Sequence, residues 1–98
     1  MTAKAKGRYV IFGHLRFEGW GVGLRRLTIR LNGVTDIARQ DTSAVSGIPT
    51  QLTVTTTYEL NANDYVELLA YQNSGLAIAA ETLANSNQSI EFGMAKVP

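Results

Sequence analysis

The chain is patterned in period two along most of its length. From Gly7 to Phe17 one alternation reads Tyr9, Ile11, Gly13, Leu15, Phe17, and the other reads Val10, Phe12, His14. In a strand the two sets project from opposite faces. The odd set can fill a core. The even set opens with two large apolar residues on the face that would otherwise meet water. A strand that is apolar on both faces needs cover on both. With no convincing helix in the sequence, the second cover is expected from another copy of the chain.

The remaining segments follow the same rule. After this first strand, Arg8 to Glu18, the segment Leu24 to Asn32 sets Leu27, Ile29 and Leu31 against Arg26, Thr28, Arg30 and Asn32, one core face and one wet face. Asn32-Gly33 predicts a tight turn, because both residues tolerate positive φ. A short return strand, Val34 to Ala38, and a polar loop from Arg39 to Pro49 are expected next. Thr50 to Leu60 places Leu52, Val54, Thr56, Tyr58 and Leu60 opposite the row Thr53, Thr55, Thr57, which is neither charged nor oily. β-Branched threonines favour the extended backbone. Asn61 to Asp64 reads as a turn and Tyr65 to Gln72 as a strand. A turn at Asn73-Ser74-Gly75 leads to a short strand, Leu76 to Ala80. Asn85 to Gln88 is a loop, and Ser89 to Val97 is the last strand. About seven strands, with turn signals every 8–12 residues or so, predict an all-β sandwich or barrel.

Composition adds mainly exclusions. The 98 residues make one domain, divided here into a frayed lead-in, residues 1–6, and a head domain, residues 7–98. A net charge of +1 supplies no field for nucleic acid or an acidic membrane. Arg26 and Arg30, on one strand face, read as a solvated surface. No apolar run is long enough to cross a bilayer, so membrane insertion is not expected. The absence of cysteine removes disulfides and thiolate metal sites.

Candidate chemistry is sparse. Gly19-Trp20-Gly21-Val22-Gly23 is a flexible loop, but it lacks the third glycine and the following helix of a dinucleotide fingerprint. Trp20 can fold back as a lid on the core or face a ligand. His14 is the only histidine. It is expected to be a hydrogen-bonded interface residue, paired with Glu91, with convergence of three copies on a metal as the other reading. The carboxylates Asp36, Asp41, Asp64, Glu67 and Glu81 are scattered, and Asp64 is expected to cap a turn. No acid–base constellation is legible, so an enzyme, a cofactor and a resident metal are not expected.

Four motifs stand in a recognisable order: Gly7-x-Tyr9-x-Ile11-x-x-x-Leu15-x-Phe17; Leu27-x-Ile29-x-Leu31-Asn32-Gly33; Tyr58-x-Leu60-x-x-x-Asp64-x-Val66-x-Leu68; and Ile90-x-Phe92-Gly93. Together they resemble the jelly-roll heads of the complement C1q-like and tumour necrosis factor-like superfamily. The run from Asp64-Tyr65-Val66-Glu67-Leu68 to Ala70-Tyr71-Gln72-Asn73-Ser74-Gly75 is closest to the C1q-like heads of bacteriophage tail fibres. Asn63 stands where that family usually has glycine, a place where Asn is tolerated. The family's first strands have no counterpart in Met1 to Lys6.

The resemblance implies a homotrimeric jelly-roll β-sandwich whose inner sheets meet around a three-fold axis. It assigns to that axis Val10, Phe12 and His14, with Thr53, Thr55 and Thr57, and with Glu91, Gly93 and Ala95. It also implies a non-enzymatic binding head, a tail-fibre or receptor-binding tip that attaches to a host surface glycan or protein. Such a head would lie on a virion surface or otherwise outside the cell. The alternative is a trimerisation or capsid-decoration module with no ligand of its own. Missing first strands would leave the last strand as an open edge, to be completed by a longer fibre or another virion chain. For ligand contact, Trp20, Arg39, Tyr65, Tyr71 and Asn73 are the candidates, because aromatic planes beside amides suit sugars.

Overall fold

A computed structural model describes residues 1–17, 19, 22–45, 47–73 and 91–98. Among these the chain is all-β, with six strands: β1 (Gly7–Phe17), β2 (Gly23–Leu31), β3 (Thr35–Ala44), β4 (Thr50–Leu60), β5 (Val66–Gln72) and β6 (Glu91–Lys96). They form two antiparallel three-stranded sheets, in the orders β4-β1-β6 and β3-β2-β5. The expected strand Leu76 to Ala80, the loop Asn85 to Gln88 and the start of the last strand at Ser89 lie outside the described residues, as does Trp20.

The sheets pack face to face around one core. Sheet one contributes Tyr9, Ile11, Leu15, Phe17, Leu52, Val54 and Leu60; sheet two contributes Leu27, Ile29 and Val66. They belong to the alternations expected for β1, β2 and β4, and Val66 is the buried residue of β5. Gly13 belongs to the same inward row and is buried. A Cβ on it would stand 2.5 Å from Leu68 Cδ1 of the facing sheet, so the missing side chain is what admits Leu68.

Turn chemistry follows the sequence. Asn32 and Gly33 take φ of 53° and 74°, and Asn63 takes 74°. The Val34 amide donates to the Leu31 carbonyl at 3.1 Å. Asp64 fastens its turn: the Asn61 amide donates to Oδ2 at 2.8 Å, and Asn32 Nδ2 donates to Oδ1 at 3.1 Å. Those two donors hold the Asp64 carboxyl below the usual carboxylate range, the Asn61 amide first.

Two expectations need correction. Strand β3 does not stop at Ala38; it runs on to Ala44, paired with β2 as far as Gly23. Ala38, Gln40, Thr42 and Ala44 stand in register with Ile29, Leu27, Arg25 and Gly23, and with Gln40 exposed and Thr42 polar this row carries little apolar signal. A register shift between Ile29 and Arg30 further breaks the alternation.

The lead-in is not frayed over its first residues. Ala3 is buried in the core. Its amide donates to the Asp64 carbonyl, its carbonyl accepts from the Asn63 amide, and the Met1 carbonyl accepts from the Val66 amide, each at 2.8 Å. The buried Tyr9 hydroxyl also donates to the Ala5 carbonyl at 2.7 Å. A methyl side chain is small enough to enter the sandwich beside that turn, which hydropathy alone does not reveal.

Candidate functional site

Two outward sheet faces hold the candidate residues. On sheet one, strand register brings nine of them into a single block. Across the strands, Val10 faces Thr57 and Ala95, Phe12 faces Thr55 and Gly93, and His14 faces Thr53 and Glu91. Residues directly opposite in register project to the same side, so the block is continuous, three positions along each of three strands.

Its centre is apolar. Phe12 is 40% exposed, even though its ring lies across Gly93, where any Cβ would collide with it. The threonine row is exposed on one flank, and Glu91 and Ala95 are exposed on the other. Charge enters the block only through Glu91, with His14 the other titratable group. His14 is half-buried, and its Nε2 is shielded from solvent with no hydrogen-bond partner. Nε2 does not make the expected pairing of His14 with Glu91, although Glu91 is the cross-strand neighbour.

The outer face of sheet two carries Arg39, Tyr71 and the chemistry around them. Arg26 lies between Asp41 and Tyr71 in register. Its Nε donates to Asp41 Oδ1 at 2.8 Å and its second nitrogen to Oδ2 at 3.3 Å. This forked pair raises the guanidinium's pKa and holds the Asp41 carboxyl below its ordinary range. The Arg26 guanidinium also stands 5.5 Å from the Tyr71 ring centroid, a cation–π contact. Arg39 Nε is 3.7 Å from Asp41 Oδ2, and Arg30 donates to Asp36 at 2.8 Å. Arg26 and Arg30 are thus paired surface cations.

Tyr65 and Asn73 sit at opposite ends of β5. Tyr65 is exposed and its hydroxyl closes over Gly33, while its amide donates to Asn32 Oδ1 at 2.9 Å. Asn73 Oδ1 accepts from the Leu24 amide at 2.6 Å, and the Asn73 amide donates to the Leu24 carbonyl at 3.2 Å. Gly23, at φ 107°, leaves room for that side chain. Asn73 is therefore a clamp on the end of the β2–β5 pair. Among the described residues the ligand candidates do not converge: Arg39 and Tyr71 share a face, Tyr65 and Asn73 stand at the two ends of β5, and the Asn73 side-chain oxygen is already bonded.

Sequence reasoning passed over Arg25. Its side chain is fully buried, with its guanidinium 5.9 Å from the Phe17 ring centroid and donating to the Leu24 carbonyl at 3.2 Å. The signal was present, since Arg25 shares the parity of Leu27 and Ile29. Also unforeseen is the cluster of exposed aliphatics at one end: Val22, Val45 and Ile48, on two loops joined by the Gly47 amide and the Gly19 carbonyl at 2.7 Å.

Among the described residues no group of three or more His, Cys, Asp or Glu could hold a metal, and no helix is long and apolar enough to cross a membrane. No family model matches the chain, and no curated protein matches it significantly. The class that fold and faces define is a two-sheet antiparallel β-sandwich, with one outer face whose central block is mostly neutral and partly aromatic and one ion-paired outer face.

Proposed function

We propose that the chain is the protomer of a non-enzymatic homotrimeric binding head, and that the outer face of the β4-β1-β6 sheet is its self-contact. The observation that carries this reading is the half-exposed Phe12 ring at the centre of a continuous block whose only ordinarily charged group is Glu91. Burying one such aromatic is worth about 1.5–3 kcal/mol. Several copies meeting at one axis would supply much of an assembly energy, offset by the entropic cost of association.

The jelly-roll reading is part of the same proposal. The chain passes from one sheet to the other between β1 and β2, β3 and β4, β4 and β5, and β5 and β6, as a double-sheet jelly roll does repeatedly. Assignment to a phage tail-fibre or receptor-binding tip, on a virion surface and attaching to a host surface glycan or protein, draws on the sequence resemblance. In the same reading, a longer fibre or another virion chain pairs with the outer edge of β6, the edge strand of its sheet among the described residues.

A second reading, a trimerisation or capsid-decoration module without a ligand, gains from one feature of sheet two. Arg26 already occupies a face of the Tyr71 ring and Asn73 Oδ1 is already bonded, which withdraws two of the sugar-binding candidates. Sedimentation equilibrium tests the shared element: a trimer is expected, and a strict monomer at high concentration overturns both readings. Host-cell adsorption and a glycan array then divide them. Binding supports the attachment head; no binding, with loss of particle assembly on deletion, supports the structural module.

A further inference from the structure

Asn32 is fastened at three polar atoms. Its amide donates to the Tyr65 carbonyl at 2.8 Å, its Oδ1 accepts from the Tyr65 amide at 2.9 Å, and its Nδ2 donates to Asp64 Oδ1 at 3.1 Å. These bonds tie the turn between β2 and β3 to the turn between β4 and β5. The second turn holds the amino terminus in its place. Ala3 bonds with Asp64 and Asn63, and Met1 and Val66 bond in both directions, the Met1 ammonium donating to the Val66 carbonyl at 3.2 Å. Asn32 is thus one end of a clasp whose other end is the lead-in.

Asn32 is followed by Gly33, and both are exposed. In an Asn-Gly pair the glycine nitrogen attacks the side-chain carbonyl carbon of asparagine, unhindered because glycine has no side chain. A bond forms between the Gly33 nitrogen and Asn32 Cγ. The bond between Cγ and Nδ2 breaks, and Nδ2 leaves as ammonia, carrying the proton of the Gly33 amide. Water then opens the cyclic imide at either carbonyl and leaves aspartate or isoaspartate at position 32. Water is the only co-reactant.

The folded turn opposes this step. Ring closure carries Cγ towards the Gly33 nitrogen and takes the side-chain amide away from Tyr65 and Asp64, at the cost of both hydrogen bonds. The Tyr65 hydroxyl also stands over Gly33, 3.0 Å from where a Cβ would be. We propose that Asn32 is a deamidation site whose reaction the clasp holds back, and whose product then weakens the clasp for good. The product has no N–H for Asp64 and sets a second carboxylate against it. Among the described residues the neighbouring charges do not offset this: Glu67 Oε1 lies 3.7 Å from the Cβ position of Gly33, Arg30 is bonded to Asp36, and the Met1 ammonium is engaged by Val66. The site is therefore a one-way clock, and the segment it loosens is Met1 to Ala3. The inference does not depend on self-association.

Peptide mapping of the full chain by mass spectrometry tests this, after incubation in neutral buffer with and without denaturing urea. Asn32 should deamidate about tenfold or more slowly in the native chain than in urea, since the reaction awaits local opening. Asp64→Ala, shown to be folded by circular dichroism, removes one restraining bond and should speed the native reaction about fivefold. Asn73, at the far end of β5, is the internal control: an equal acceleration there would mean general unfolding and would overturn the clasp. In Asn32→Asp, amide hydrogen exchange should quicken at Ala3 and Val66 and stay slow at Ile11 and Leu27. Equal rates in buffer and urea, or an Asp64→Ala rate equal to that of the wild type, overturn the protection. Unchanged exchange at Ala3 and Val66 in Asn32→Asp overturns the loosening.

Discussion

The far end of the Phe12 ring lies over Gly93, its cross-strand neighbour, so that among the described residues the largest side chain of the outer face of sheet one covers the one position there that has no side chain. An aromatic laid over a strand glycine shields backbone that would otherwise be bare. A Cβ at Gly93 would displace the ring, but the displaced atoms are the far end of a side chain that can swing into water. Gly93→Ala is therefore expected to change protomer stability by no more than about 1 kcal/mol, while lifting Phe12 and weakening self-association. Thermal melts beside sedimentation would show this split; a large fall in melting temperature with association intact would contradict it.

The two faces of β1 give a sharper contrast. Ile11 is fully buried and Phe12, the next residue, is 40% exposed. Ile11→Glu places an unpaired carboxylate in the core, at a cost of about 4 kcal/mol or more, and should abolish the fold. Phe12→Glu leaves the core intact and should yield a folded monomer, because like charges would meet where the faces close. Light scattering and circular dichroism on the two variants check this. A Phe12→Glu protein that still assembles with wild-type thermal stability would mean that no self-contact passes through this face.

What could be read from the sequence, and what could not, follows from how each segment is buried. Strands β1, β2, β4 and β5 were legible because each sets an apolar row against a different one, and the turns at Asn32-Gly33 and Asn63-Asp64 because few residues tolerate their backbone. Strand β3 was half missed: its row in register with the core residues of β2 holds Gln40 and Thr42 between alanines, and the register shift hides the period. The docking of Ala3 was invisible, because a single methyl carries no pattern and its partners are backbone groups some sixty residues away. Arg25 was passed over, although its parity with Leu27 and Ile29 places it inside. The clustering of the axial candidates was legible, since pairing in register requires only correct alternation on three strands. The ligand candidates were chosen by residue type, and the hydrogen bond that binds Asn73 to Leu24 is not written in the local sequence.

Gly13 and Leu68 form a matched pair across the sandwich, void on one sheet and side chain on the other. Gly13→Ala should overpack the core and destabilise it by about 1–3 kcal/mol. Leu68→Ala should cost about 1–3 kcal/mol, toward the lower range of such truncations because Leu68 is only half-buried. Together they should be less damaging than their sum by about 1 kcal/mol, since each relieves the strain or space the other creates. Urea denaturation of the four proteins in the cycle measures the coupling, and strict additivity would show that the sheets adjust independently at this point.

Asp64 should carry part of the acid sensitivity of the protomer. Its carboxylate accepts from the Asn61 amide and from Asn32 Nδ2, and both bonds favour the ionised form, so its pKa is lower in the folded than in the unfolded chain. A depressed folded pKa means that the unfolded state binds the proton more readily. The stabilisation is therefore complete above the unfolded carboxylate's pKa of about 3.9 and is lost as pH falls through the folded value. Asp64→Asn keeps an oxygen for the Asn61 amide but carries no charge. The variant should be less stable than the wild type at pH 7, and the gap should narrow steadily as the pH falls below about 4.5. Asp41, whose carboxyl is depressed by Arg26, titrates in both proteins and so cancels from the difference. Denaturant midpoints of the two proteins between pH 7 and pH 2.5 give the comparison directly. A gap that stays constant down to the lowest pH would show that Asp64 holds the turn by shape alone, with its charge contributing nothing.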